Sequence, residues 1–175
     1  KIDLLLLNII MENKYIQEID RLLKNNKIKN NFIKSIILTL ESQFRLYDHK
    51  VQIEFLNYLK KKLKEDLIEK KIYLDFDSKL KLKKNDIYID LNSNNFELNE
   101  YTKQYISYYF NINIIIINQS TKKHRCIIDY NPKWYSVILI NEKNNYNPLI
   151  LDKLLIDEDV QIIFQKYIID DLYIF

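Results

Sequence analysis

The 175-residue sequence contains no glycine, only two prolines and a single cysteine. Walker loops, dinucleotide-binding fingerprints and glycine-flanked serine elbows all require residues without a Cβ atom. The lack of glycine therefore excludes the phosphate-cradling and hydrolytic chemistries that depend on those loops. Cys126 permits no internal disulfide, and with His49 and His124 it supplies too few soft ligands for a structural zinc site. We predict no cofactor, no metal and a reducing compartment.

Long apolar runs are also missing. Stretches such as residues 4–7 and 114–117 are far shorter than the roughly 18 to 20 residues that cross a bilayer, so we predict no membrane span. Isoleucine, lysine and asparagine instead fill 31, 24 and 20 positions. Because their codons are rich in A and T, this composition indicates an A/T-rich genome, and much of the asparagine reflects that bias.

Charge is divided unevenly along the chain. The 27 basic and 24 acidic residues give a net charge of +3. Residues 1–84 carry 19 basic and 12 acidic side chains, a net +7, whereas residues 85–175 carry 8 and 12, a net −4. This division predicts a basic helical lobe and an acidic sheet lobe, which suits head-to-tail contacts or an acidic partner; the alternative is that the charges only solvate the outer faces of ordinary helices.

The first two-fifths of the sequence has helical periodicity. Apolar residues recur every three or four positions over residues 2–23, residues 31–46, and a long helix capped by Asp48. Residues 70–96 have no clear period, and we treat them as a mixed connector. The long helix has an apolar stripe that we expect to be buried, consisting of Val51, Phe55, Leu59, Leu63 and Leu67.

The second half of the sequence predicts a sheet. After a helix capped by Asn99, residues 112–117 form a β-branched run of the kind that is buried on both faces of a sheet. Three further apolar segments separated by turns predict an antiparallel meander, at residues 124–130, 134–140 and 146–151.

These segments predict one α+β domain over residues 1–175. Residues 1–69 form a helical lobe, and residues 97–175 form a helix, a small mostly antiparallel sheet and a closing C-terminal helix capped by Asp157. The N-terminal helices are expected to pack on the sheet.

Two segments resemble a known enzyme family. Residues 30–36, Asn-Asn-Phe-Ile-Lys-Ser-Ile, and residues 144–149, Asn-Asn-Tyr-Asn-Pro-Leu, resemble the nucleophile segment and the histidine strand of OTU-type (ovarian tumour) papain-like cysteine peptidases. Transferred onto this sequence, the nucleophile position falls on Asn31, the general-base position on Asn145 and the orienting position on Asn147.

Asparagine at the first two positions removes the chemistry of that family. A cysteine thiolate attacks because an adjacent imidazole and a helix N-terminus lower its pKa, whereas an amide does not titrate and is a poor nucleophile. The resemblance therefore implies an inactive peptidase scaffold. The same pattern resembles minor capsid proteins of large DNA viruses, which implies a non-catalytic structural or interaction protein in a multi-subunit assembly, in the virion or the host cytoplasm.

Two other functions remain open. Lysines within residues 60–64 and 79–84, with fourteen tyrosines, fit nonspecific binding of single-stranded nucleic acid. An active cysteine hydrolase would have to use Cys126, which shares a strand face with His124 but has no helix N-terminus beside it.

Aromatic residues are the expected anchors of a protein interface. We expect the apolar C-terminal segment to dock on its own domain or on a neighbour. The candidate interface residues are Trp134, Tyr135, Tyr173 and Phe175.

Overall fold

The computed structural model of the chain describes residues 14–24, 30–69, 83–93 and 97–170. Its helices are α1 (residues 14–24), α2 (Phe32–Leu40), a 3-10 helix (Ser42–Leu46), α3 (His49–Glu69), α4 (Lys84–Asn92), α5 (Glu100–Phe110) and α6 (Asp157–Lys166). The strands are β1 (Ile112–Asn118), β2 (His124–Cys126), β3 (Tyr135–Glu142) and β4 (Asn145–Pro148). Helices precede the sheet and a helix follows it, which confirms the predicted α+β class.

The four strands form one mixed sheet in the order β2–β1–β3–β4. The β1–β2 and β3–β4 pairs are antiparallel, whereas β1 and β3 are parallel. Two of the three pairings are thus antiparallel, but the predicted meander is wrong, because β2 lies beside β1 and not beside β3. The physical reason is burial: β1 and β3 carry apolar residues on both faces, and pairing them places both at the centre of the sheet.

The central strand β1 separates two layers of helices. Ile114 and Ile116 belong to one core cluster with α2, α3, α4 and α5, whereas Ile115 and Ile117 belong to a second cluster with α1 and α6. All four side chains are buried. The β-branched run is therefore covered on both faces, as its composition predicts.

Side-chain caps determine where several helices begin. The side-chain oxygens of Asn31, Asp48 and Asn99 accept hydrogen bonds from the backbone N–H groups three residues further on, at 2.8, 3.1 and 2.9 Å. The predicted cap of the last helix is wrong by one residue. Asp157 is the first residue of α6. The residue before it, Ile156, donates its backbone N–H to the Asp159 carboxylate.

The helix predicted over residues 31–46 is divided into α2 and the 3-10 helix. Glu41 leaves the helical backbone with φ −128° and ψ 91°, and its carboxylate accepts a hydrogen bond from the Gln43 N–H. This change of direction lets Phe44 enter the core. The region treated as a mixed connector contains α4, while residues 70–82 and 94–96 lie outside the described ranges.

Because the chain lacks glycine, other residues occupy left-handed backbone conformations. Asn111, Lys122 and Lys143 have φ values of 50°, 56° and 55°. Asn111 ends α5 and leads directly into β1, whereas the two lysines lie in the β1–β2 and β3–β4 turns. The N-terminus of α5 and both turns consequently lie at the end of the sheet where β1 and β3 terminate.

Short segments cover both edges of the sheet. Asn30 forms a bridge with Tyr146 in β4, and Ile169 forms one with His124 in β2. The carbonyl of His124 also accepts a hydrogen bond from the Asp170 N–H at 2.8 Å. Ile169 and Asp170 therefore protect the edge strand β2, whereas residues 172–175, the segment expected to dock, lie outside the described ranges.

Candidate functional site

The structure brings the two segments that resemble the peptidase family together. The Tyr146 N–H donates to the Asn30 carbonyl at 2.9 Å in an antiparallel bridge between β4 and the start of α2. Asn31 and Asn145 are adjacent to this bridge, one on each segment, so their backbones are neighbours at the sheet edge. The Ser35 hydroxyl also joins the segments by donating to the Tyr146 carbonyl at 2.9 Å.

The asparagines at the three positions transferred from the peptidase family lie in places where they serve the fold. Asn31 uses its side-chain oxygen to cap α2. Asn147 is buried opposite Ile140, and the half-buried Asn145 has a carbonyl that accepts a hydrogen bond from the Asn141 side chain at 3.3 Å. None of these side chains titrates, so the positions transferred from the family supply neither a nucleophile nor a base.

Cys126 and His124 lie together in β2, but their surroundings oppose catalysis. Burial raises the pKa of the Cys126 thiol to about 11, although the nearby Arg125 acts in the opposite direction. Burial also lowers the pKa of His124, whose ring stacks on Phe164 with centroids 4.4 Å apart and whose Nδ1 bonds to the Tyr167 carbonyl. These shifts disfavour the thiolate–imidazolium pair that a cysteine hydrolase requires.

A polar cavity of about 210 Å³ opens where β1 and β3 end. Its walls include the first turn of α5, the β1–β2 and β3–β4 turns, and Tyr146. In open sheets, ligands bind at the carboxyl ends of parallel strands. Seven of the lining residues are charged: Lys103, Lys123, Arg125 and Lys143 are basic, and Glu97, Glu100 and Asp170 are acidic.

Glu100 connects two of the cations in this cavity. Its carboxylate accepts two hydrogen bonds from the Arg125 guanidinium, both at 2.9 Å, and one from the Lys103 ammonium at 3.0 Å. The Lys103 side chain is only 4% exposed. Its ammonium lies 5.8 and 5.7 Å from the ring centres of Phe32 and Tyr146, within the range of cation–π attraction.

The hydrogen bonds of this cluster favour the charged forms of Glu100 and Lys103. Burial acts to raise the pKa of Glu100, but the bonds from Arg125 and Lys103 outweigh burial and hold that pKa below its ordinary value. Burial acts to lower the pKa of Lys103, but Tyr146 and Glu100 outweigh it and the pKa is raised. Glu100 and Lys103 therefore both remain charged near neutral pH.

None of the cavity residues was predicted as a site from the sequence. The three-residue spacing of Glu100 and Lys103 is a signal for an ion pair on one helix face. Arg125 is 22 residues away from Lys103 along the chain, and only the pairing of β2 with β1 brings it to α5.

A second candidate site is an exposed apolar surface on α3. Leu59, Leu63 and Leu67 are buried as predicted, but Val51 and Phe55 are each 41% exposed, so the expectation that the whole stripe is buried is wrong. In the first half of the helix, Phe55 packs against Phe44 of the 3-10 helix with ring centroids 5.4 Å apart, yet Val51 and Phe55 both keep a large exposed fraction. The α3 apolar surface consists of Tyr47, Val51, Phe55 and Tyr58, flanked by the exposed Leu46.

The predicted interface aromatics have different surroundings. Trp134 is half-buried and packs edge-on against Tyr108 with ring centroids 6.1 Å apart, whereas Tyr135 is exposed. Tyr173 and Phe175 lie outside the described residues. Tyr135 is therefore the accessible member of the described pair.

The lysines of α3 make contacts within the protein. Lys61 and Lys62 lie 3.8 and 3.3 Å from carboxylates four residues further on, and Lys60 and Lys64 donate to groups at the end of α4 at 3.4 and 2.6 Å. Burial lowers the pKa of Lys60. These contacts compete with the phosphate contacts that nucleic-acid binding needs.

Within residues 14–24, 30–69, 83–93 and 97–170, no three His, Cys, Asp or Glu side chains gather as a metal site would require. No helix of this described part has both the length and the apolar character needed to cross a bilayer. The chain matches no protein-family model, no curated protein and no solved structure. The similarity to OTU-type peptidases stays a prediction from the residues.

Proposed function

We propose that this protein is a non-catalytic interaction protein that associates through the α3 apolar surface. The observation that carries the proposal is the exposure of Tyr47, Val51, Phe55 and Tyr58, between 41% and 64% of each residue. Exposed aromatic side chains on one helix face are typical anchors of protein interfaces.

The size of the surface favours a second copy of the chain as the partner. An aromatic side chain buries roughly 150 to 250 Å², so these residues and Leu46 together expose on the order of 500 Å². Two such surfaces facing each other would bury about 1,000 Å², the lower end for a specific interface. A two-fold axis makes one patch complementary to itself, so the expected assembly is a symmetric dimer.

The non-catalytic part of the proposal is supported by two observations. The positions that resemble a peptidase nucleophile and base are occupied by Asn31 and Asn145, and the only thiol, Cys126, has a raised pKa. The narrower proposal, a capsid-associated component of a large DNA virus in the virion or host cytoplasm, rests on the sequence resemblance alone.

Sedimentation equilibrium tests the association. At about 100 µM, an interface with a Kd near 10 µM is mostly occupied, so the wild-type protein should sediment as a dimer. The double variant Val51→Glu/Tyr58→Glu should be monomeric, because it introduces charge at the centre of the surface. Ile156→Glu/Ile168→Glu is a matched control, since those residues are 40% and 63% exposed elsewhere on the molecule.

A wild-type protein that stays monomeric at this concentration refutes the dimer. Equal dissociation of the control variant would also refute it, because charge alone would then be the cause. Circular dichroism of both variants verifies that each has folded.

Activity assays test the absence of catalysis. Incubation with ubiquitin chains or small peptides should give no turnover, and a thiol-directed ubiquitin probe should leave the protein unlabelled. An adduct at Cys126 would instead establish the hydrolase alternative. For the nucleic-acid alternative, binding of single strands that weakens steeply between low salt and about 0.2 M would be the positive result.

A further inference from the structure

The polar cavity beside α5 contains a buried cation that packing does not require. Taking an ammonium group out of water is unfavourable unless hydrogen bonds and opposite charges compensate. The Lys103 ammonium receives that compensation from Glu100, a carboxylate that Arg125 also uses. The seven charged residues that line the cavity comprise four cations and three carboxylates, a net charge of +1.

Two lysines at the opening of the cavity add to this positive charge. Lys123 follows the β1–β2 turn and Lys143 lies in the β3–β4 turn, and neither forms an ion pair with the described part of the chain. Both turns are braced by asparagine side chains. Asn118 accepts two backbone N–H bonds at 2.9 Å, and Asn141 donates to the Lys143 carbonyl at 2.7 Å. The lysines therefore extend from fixed backbone positions.

The size and position of the cavity limit what it can hold. Its volume of about 210 Å³ is below the roughly 300 to 1,000 Å³ of pockets for drug-sized ligands. The N-terminus of α5 lies at the same end of the sheet, and the positive end of its helix dipole favours negative charge there. A small anion suits this combination better than a neutral or a large ligand.

We propose that this cavity binds a small oxyanion, either phosphate or a short carboxylic acid. The buried Lys103 and the partly exposed Arg125 form the inner wall and donate hydrogen bonds to the anion, while Lys123 and Lys143 attract it at the opening. Glu100 is a positioning residue, because it holds the two inner cations in place through three hydrogen bonds.

Titration of the full chain with inorganic phosphate and, separately, with succinate tests the site at low ionic strength. Calorimetry should give saturable binding of one ion per chain for at least one of the two, with a Kd of about 1 mM or tighter. Backbone amide shifts in nuclear magnetic resonance spectra should change most around residues 118–125 and 141–146. The ion that binds more tightly identifies the chemical class.

Variants distinguish a built site from general attraction to a basic surface. Lys123→Ala/Lys143→Ala should weaken binding by about tenfold or more, whereas Lys50→Ala/Lys133→Ala, which removes the same charge from exposed positions outside the cavity, should change it less than about twofold. Lys103→Met should abolish binding while the amide spectrum shows a folded protein.

Three results would overturn the proposal: no saturable binding of either ion, equal weakening by the two double variants, or unchanged binding in a folded Lys103→Met protein. Sedimentation does not enter this test, so its outcome is independent of the dimer proposed above.

Discussion

Replacing Glu100 by glutamine should destabilise the protein more than replacing Lys103 by methionine. Glu100→Gln keeps the size of the side chain but removes the negative charge that compensates Lys103 and Arg125, so a buried ammonium remains without its carboxylate. Lys103→Met removes the buried cation and keeps an apolar chain beside Phe32 and Tyr146.

The contacts of Glu100 give the size of the expected loss in free energy of unfolding. Three hydrogen bonds to charged donors are lost or weakened, each of about 1.5 to 3 kcal/mol in a favourable setting. The Glu100 side chain is 45% exposed, so solvent screening reduces this sum by more than half, and we expect a loss of about 2 kcal/mol for Glu100→Gln. Lys103→Met should cost about 1 kcal/mol or less, because the desolvation of the ammonium disappears with the bond.

Urea unfolding followed by the fluorescence of Trp134, the only tryptophan, measures both changes. The double variant Glu100→Gln/Lys103→Met should lose less free energy of unfolding than the sum of the losses of the two single variants, because it contains no buried ammonium without a carboxylate partner. A Lys103→Met protein as unstable as Glu100→Gln, or additive losses, would refute the reasoning.

The pH dependence of stability gives an independent measurement of the Glu100 contribution. The pKa of Glu100 in the folded state is below its ordinary value of 4.5, so its contribution is present above that pH and is lost as the pH falls through the folded-state pKa. The stability difference between the wild-type protein and Glu100→Gln should therefore shrink in acid.

Local signals in the sequence predicted much of the fold. The predicted caps Asp48 and Asn99 form because short polar side chains reach the N–H groups of the next turn, and that contact lies within four residues. The β-branched residues 112–117 likewise predicted a strand buried on both faces. In each case the deciding interaction is short in sequence or depends on composition alone.

Properties that depend on distant segments were not predictable in this way. Turn residues mark where β2 ends and β3 begins along the chain, but they do not show that β1 lies between these two strands in the sheet. Periodicity identifies the apolar face of α3 but does not reveal whether another element covers Val51 and Phe55. The polar cavity depends on the same long-range pairing, because Arg125 reaches Glu100 only through the β1–β2 ladder.

Three further predictions concern single residues. With its pKa raised from 9.0 to about 11, Cys126 should react with a disulfide reagent at pH 8 about a hundredfold more slowly in the folded than in the unfolded protein; similar rates would contradict its burial. Lys122→Gly should raise the free energy of unfolding by up to about 1 kcal/mol, because glycine tolerates the φ of 56°; urea unfolding measures this. Burial holds the pKa of His124 below its ordinary 6.5, so the neutral ring is the form that the fold accepts, and its contribution is full above that pH and is lost as the pH falls through the folded-state value. His124→Gln should therefore flatten the pH dependence of stability just below pH 6.5; a slope equal to that of the wild-type protein would assign the dependence to other groups.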